Sequence, residues 1–164
     1  MNIRKATTDD LPRITELIAY GKQKMLQIGN DKQWVNGYPD QDVITNDILS
    51  SVAFLLCQDD GTPVATFTLI GGIEPAYAHI DGDGWTDDTT PYHTIHRVAS
   101  APRVHGVFAA IVNFCDSIGI KNLRIDTHRD NSAMRHCITK AGFTFCGIVQ
   151  YPAGERLAYQ RIKP

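Results

Sequence analysis

His93-Thr94-Ile95-His96-Arg97-Val98-Ala99-Ser100, followed by Arg103-Val104-His105-Gly106, decides how this chain folds. The first run mixes β-branched and apolar residues and reads as a strand. The second is a glycine-bearing turn, and an apolar helix runs on from it, from Val107 to Ile118. Further toward the C-terminus, Asn122-Leu123-Arg124-Ile125-Asp126-Thr127-His128 reads as another strand. Asp130-Asn131 then opens a helix, and Lys140-Ala141-Gly142-Phe143 closes it before a final hairpin. A turn with a strand before it and a helix after it presents outward-pointing N–H groups with partial positive charge. The turn at 103–108 is therefore suited to an anionic group.

Taken in this order, the motifs resemble those of the general-control-related N-acetyltransferase (GNAT) superfamily. Its acetyl-CoA loop reads Arg/Gln-x-x-Gly-x-Gly/Ala, and its later helix runs from an Asn to a Gly-Phe. Arg103-Val104-His105-Gly106-Val107-Phe108 matches the loop except at the end, where Phe108 replaces a small residue. Asn131 through Gly142-Phe143 matches the second signature. Ile3-Arg4-Lys5-Ala6-Thr7-Thr8-Asp9-Asp10-Leu11-Pro12 is also similar to the family's N-terminal segment, so the likeness covers essentially the whole chain. It implies an α/β (α+β) fold and acetyl-CoA as co-substrate, with direct attack of an amine on the thioester. It further implies that Val98, Ala99, Ser100, Arg103, Val104, His105, Gly106, Val107, Phe108, Asn131 and Met134 bind the acetyl-CoA. Of these, the N–H groups of Val104 to Phe108 would take the pyrophosphate, with Arg103 or His105 supplying charge. A backbone N–H near Val98 or Ala99 would meet the developing oxyanion. The tyrosine with which the family commonly protonates the leaving thiolate falls on Ile138 here.

A chain of 164 residues is long enough for one well-buried core, and 1–164 reads as a single N-acetyltransferase-like domain. A net charge of −2 gives no reason to expect nucleic acid as a partner. No apolar run approaches the ~20 residues of a membrane span, so no membrane partner is expected. The start, Met1-Asn2-Ile3-Arg4, lacks the apolar centre of a secretion signal, and a cytoplasmic location is the expectation. Association into a homodimer is left open. Cys57, Cys115, Cys137 and Cys146 lie among apolar neighbours without Cys-x-x-Cys spacing, which favours buried reduced thiols over a zinc or redox site.

Elsewhere, Asn2 to Ala6 reads as a first strand, and Thr8 as the cap of a helix beginning Asp9-Asp10-Leu11-Pro12. Leu11, Ile14, Leu17 and Ile18 recur at helical spacing. Asp40 or Asp42 opens a second helix. Ala53 to Gln58 and Val64 to Ile70 form a hairpin around Asp59-Asp60-Gly61-Thr62-Pro63. The stretch Gly71 to Pro91 is the least regular. Its Asp81-Gly82-Asp83 begins like a calcium loop, but Trp85 and Tyr92 stand where oxygen ligands are needed, so no metal site is assigned. About seven strands and about four helices result, in a single-domain, mixed, mostly antiparallel sheet flanked by helices.

Attack by an amine needs a group that takes its proton. With a strand period of two, Thr94 and His96 face one side and Ile95 and Arg97 the other. Many family members carry a glutamate near the place of Thr94, which cannot act as a base. His96, on the same side, has an imidazole suited to the task, or else serves the structure by bonding a backbone carbonyl. Glu74, after Gly71-Gly72, is the second candidate base, and Asp126 with His128 the third. Trp34 and Tyr38, between the first two helices, and Tyr77 are candidates for the acceptor wall, together with Asp126 and His128. The expected function is acetyl transfer to a primary amine of a small molecule or peptide. The alternative is a non-catalytic acyl-CoA-binding or sensor domain of the same fold.

Overall fold

Alternating side chains along the first hairpin supply both faces of one sheet. In the computed structural model, which describes residues 1–164, the strands are β1 (Asn2–Lys5), β2 (Ala53–Cys57), β3 (Pro63–Gly71), β4 (His93–Ser100), β5 (Asn122–Thr127), β6 (Thr144–Tyr151) and β7 (Gly154–Ile162). They form a seven-stranded sheet in the order β1-β2-β3-β4-β5-β7-β6. Every neighbouring pair is antiparallel except β4 with β5. The helices are α1 (Leu11–Gln27), α2 (Gln41–Leu49), α3 (Val107–Ser117) and α4 (Ser132–Lys140). Phe54, Leu56, Phe67, Leu69, Ile95 and Leu123 pack with Phe108, Ile111 and Ile138 from α3 and α4. Leu55, Cys57 and Ala99 pack with Leu17 and Ile18 of α1 and Ile44 and Ile48 of α2. Because both faces are covered, all of β2 is buried.

The helix starts follow capping chemistry. Asp40 accepts the Val43 N–H (2.9 Å) and Asn131 the Met134 N–H (3.2 Å). The first helix departs from expectation. Thr8–Asp10 is a 3-10 turn, and the α-helix begins at Leu11. Thr7, rather than Thr8, is the capping residue, because the Asp10 carboxylate reaches back to the Thr7 N–H (2.8 Å) while also gripping Arg4 (2.7 and 2.8 Å).

Two irregularities in β4 shape the molecule. Thr66 pairs with Ala99 but Thr68 with His96, so Arg97 and Val98 stand opposite Phe67 alone. Such a bulge inserts an extra residue and leaves it unpaired. Arg97 takes φ +53°, and its guanidinium bonds Thr68 Oγ1 (3.2 Å) and pairs with Asp47 of α2 (3.3 Å). The expected alternation, with Arg97 beside Ile95, therefore breaks at this point. In addition, β4 and β5 pair only at His93–Leu123 and Thr94–Arg124, and then diverge.

Residues 72–92, irregular as expected, are nonetheless fastened. Arg124 is 1 % exposed and lies between the rings of Trp85 (4.0 Å) and Tyr92 (3.9 Å). It donates to the Asp87 carbonyl (2.9 Å) and the Asp88 carboxylate (2.8 Å). Asp81 exchanges two backbone bonds with Ile148 on the outer edge of β6. Glycine is required at position 147, since a Cβ there would collide with the Asp81 carbonyl. All four cysteines are free, and burial pushes the Cys115 thiol up to about 12. No helix is long and apolar enough to cross a membrane.

Candidate active site

Where β4 and β5 separate, the sheet opens into a cleft of about 1060 Å³. Backbone groups on that edge of β4, beyond Thr94, have no strand partner and can serve a ligand.

At one end stands the start of α3. Gly106 adopts φ +74° as its cap, and the Ala110 N–H is the first to bond back, to the Gly106 carbonyl (3.0 Å). This leaves the N–H groups of Val107, Phe108 and Ala109 free at the helix mouth. Nothing lies within 4 Å of where a Gly106 Cβ would be, so the backbone there is open to approach. Phe108 does not obstruct the turn. Its ring is buried beneath α3, with its centroid 5.9 Å from that of Phe143. Val98, Ala99, Ser100, Val104, His105, Gly106, Val107, Phe108, Asn131 and Met134 all line the cleft, whereas Arg103 is exposed and lies outside the lining.

Elsewhere in the lining, the two candidate bases come together. His96 Nε2 lies 3.3 Å from Glu74 Oε2, and both side chains are about one-fifth exposed (18 % and 22 %). The bond from His96 is the main cause that holds the Glu74 carboxyl below its usual range. Glu74 is fixed as the cap of a short 3-10 turn, Pro75–Tyr77, accepting the Ala76 N–H (3.2 Å), and its own N–H donates to the Tyr92 hydroxyl (2.9 Å). Thr94 is buried on the neighbouring position of the strand and does not line the cleft.

Asp126, at the end of β5, accepts the hydroxyls of Tyr77 (2.7 Å) and Tyr151 (2.8 Å) on one oxygen. Burial, reinforced by this carboxylate, raises both phenol pKa values, so both phenols remain donors. Asp126, Trp34 and Tyr38 line the cleft. Tyr77 sits behind Asp126 and does not. His128 is also outside the lining: its ring accepts the Asp130 N–H (3.2 Å) and shapes the turn before α4. Ile138 is fully buried in the core, so neither a phenol nor a cleft contact exists at that place.

The cleft also takes residues that the sequence reading did not select. His136, Cys137 and Lys140 line it from α4, and their helical spacing with Ala133 and Met134 was a usable signal. Gln33 had no such signal. Its Oε1 accepts from Asn30, Thr127, His128 and Asn131 (3.1–3.2 Å), tying the α1–α2 loop to the start of α4. Arg156 enters from the last hairpin.

No family model matches the chain, and no curated protein matches it. Solved structures do. One is a GNAT-family acetyltransferase from Streptococcus agalactiae, 32 % identical, with 99 % of this chain and 95 % of that one covered at a TM-score of 0.91. A second is the aminoglycoside acetyltransferase AAC(6')-Ib in complex with coenzyme A, 18 % identical, covering 99 % and 94 % at a TM-score of 0.63. A third is a ribosomal-protein-alanine N-acetyltransferase from Brucella melitensis, 18 % identical, covering 99 % and 100 % at a TM-score of 0.62. The latter two show a shared fold.

Proposed function

The chain belongs to the GNAT family of acetyltransferases, and on that premise we propose that it carries an acetyl group from acetyl-CoA to a primary amine of a small molecule or peptide by direct attack. The observation that carries this reading is the arrangement of the cleft. A helix mouth with free N–H groups stands at one end, a histidine–carboxylate pair at the other, and the bulged strand β4 runs between them.

Acetyl-CoA would supply the acyl group as a thioester. Val107, Phe108 and Ala109 offer their N–H groups to its phosphates, and His105 adds a side chain at the same end. Near Val98 and Ala99 the bulge offers a backbone N–H to the oxygen on which charge develops, a contribution of ~10²–10³ in rate for one such donor. His96 takes the proton of the amine. An ionised Glu74 can only accept, so the hydrogen of His96 sits on Nε2 and the lone pair on Nδ1. The departing sulfur needs little help, because a thiol of ordinary pKa ~8.5 is already a fair leaving group near neutrality. The buried Ile138 is consistent with a transferase that uses no tyrosine acid at that place, and equally favours the second reading, a domain that binds acyl-CoA without turnover.

Acetyl-CoA at ~100 times its dissociation constant should stabilise the protein by about 2.7 kcal/mol, seen as a higher melting temperature. Gly106→Val should remove most of that increment. A β-branched residue at φ +74° is strained, and its side chain would occupy the open approach to the helix mouth. Melting the variant without ligand measures the strain separately. An undiminished ligand shift in the variant would place the phosphates elsewhere.

A further inference from the structure

We infer that Gln33 is a positioning residue for the transfer, its side-chain oxygen fixing the loop between α1 and α2 across the gap where β4 and β5 part. On the transferase reading, on which this rests, Gln33 sets the spacing between the proposed acceptor wall and the strand edge where the thioester reacts.

β4 and β5 pair only at His93–Leu123 and Thr94–Arg124. Beyond those pairs no ladder sets their separation, so the width of the cleft depends on what is laid across it. Residues 30–39 lie across it. On the β4 side, the Trp34 ring and the Ala99 methyl both come within 3.1 Å of where a Gly21 Cβ would stand, so glycine at that place lets the ring settle against α1 beside the strand. The Tyr38 ring lies under the Arg97 guanidinium, 5.7 Å from the ring centroid. On the β5 side the loop is held by Gln33. Its Oε1 accepts the Thr127 hydroxyl and the His128 N–H (both 3.2 Å) at the end of β5, and the Asn131 side-chain amide (3.1 Å) at the start of α4. Asn30, in the same loop, supplies a fourth donor (3.1 Å).

Two points set this contact apart from ordinary loop packing. An amide oxygen has two lone pairs, so four donors oversubscribe it, and the amide nitrogen, itself a donor, cannot take its place. Gln33 is therefore held in one orientation. The crosspiece also touches, at both ends, groups that the proposed reaction uses. Asn131 opens the helix that lines the cleft with Ala133 and Met134, and Ala99 lies beside the N–H proposed for the oxyanion. Releasing Gln33 frees Trp34 to move relative to both, and a misplacement of about 1 Å can cost on the order of 10² in rate.

The test pairs Gln33→Leu, which removes the oxygen, with Gln33→Glu, whose carboxylate accepts the same donors with more lone pairs. With the most responsive member of a panel of primary amines, Gln33→Leu should lower kcat by about 10- to 100-fold and change KM for acetyl-CoA by less than about threefold. Gln33→Glu should keep kcat within about threefold of the unsubstituted protein. Trp34 gives a readout that needs no acceptor. In protein carrying fluorotryptophan at its two tryptophans, the fluorine resonance of Trp34, identified by its loss in Trp34→Phe, should shift in Gln33→Leu and return in Gln33→Glu, while that of Trp85 stays. An unchanged kcat or an unmoved Trp34 resonance in folded Gln33→Leu overturns the inference. An equal loss of kcat in both variants also overturns it, because the role would then belong to the amide nitrogen. Should Gln33→Leu not fold, Gln33→Glu decides alone, a kcat loss beyond about tenfold overturning the inference and a retained kcat upholding it. A displaced Trp34 resonance, with no amine acetylated by the unsubstituted protein, upholds the crosspiece and refutes the transferase reading, so the two failures are distinct.

Discussion

Replacing His96 by alanine is expected to lower turnover of a responsive amine by ~10²–10⁴ while leaving the affinity for acetyl-CoA nearly unchanged. The His96 ring hydrogen-bonds Glu74 and none of the residues at the helix mouth, so the loss should fall on the chemical step. Glu74→Gln should give a smaller loss in the same direction, because the amide still meets His96 but no longer fixes which nitrogen carries the hydrogen. Steady-state rates at saturating acetyl-CoA, with melting curves for each variant, check this. Turnover that falls only because His96→Ala unfolds would return His96 to a structural role. Full activity of the folded variant would require another base.

Removing Arg124 should produce the largest loss of stability. Its guanidinium is stacked between Trp85 and Tyr92 and bonded to Asp87 and Asp88, so Arg124→Ala forfeits two cation–π contacts and the bonds to residues 87 and 88, and opens a cavity. A desolvated cation–π contact contributes about 2 kcal/mol, and a large-to-small change in the core costs 2–5, so a loss of about 3–5 kcal/mol is expected. Asp88 is mostly exposed and is not stranded by the change. Arg124→Lys should recover part of the loss, since the charge remains but the planar stack does not. Because Arg124 fastens the segment that delivers Glu74 and Tyr77, activity should fall along with stability. Urea unfolding measures the effect, and a loss below ~1 kcal/mol would mean that the stack is not what holds residues 72–92.

The features readable in the sequence are those carried by contiguous residues. The strand at 93–100, the turn at Gly106 and the Asn131 cap are each specified by neighbours a few positions away, and the sheet with its single parallel step follows from their order. What escaped depends on partners far along the chain. The bulge at Arg97 exists because two residues of β4 face only Phe67 of β3, and nothing in the composition of either strand announces that register. His96 and Glu74 were each legible as proton acceptors by residue type. That they form one pair needed the fold to bring positions 22 apart within 3.3 Å. Gln33 illustrates the limit most clearly. An ordinary polar residue in a loop becomes the acceptor for Thr127, His128 and Asn131, roughly a hundred residues on, only once α1 and α4 flank the same sheet. The cap stands at Thr7, one residue before the expected Thr8, because the Asp10 side chain closes the capping box on the Thr7 N–H.

On the proposed reading, the cleft between β4 and β5 transfers an acetyl group rather than merely holding acyl-CoA. Incubating the protein with acetyl-CoA and a panel of primary amines, and following free thiol together with the mass of each amine, tests it most directly. At least one amine should gain a single acetyl group in step with an equal amount of released thiol, and both signals should be lost in His96→Ala. Tight binding of acetyl-CoA with no thiol released and no amine modified across the panel would contradict it and leave the chain an acyl-CoA-binding domain.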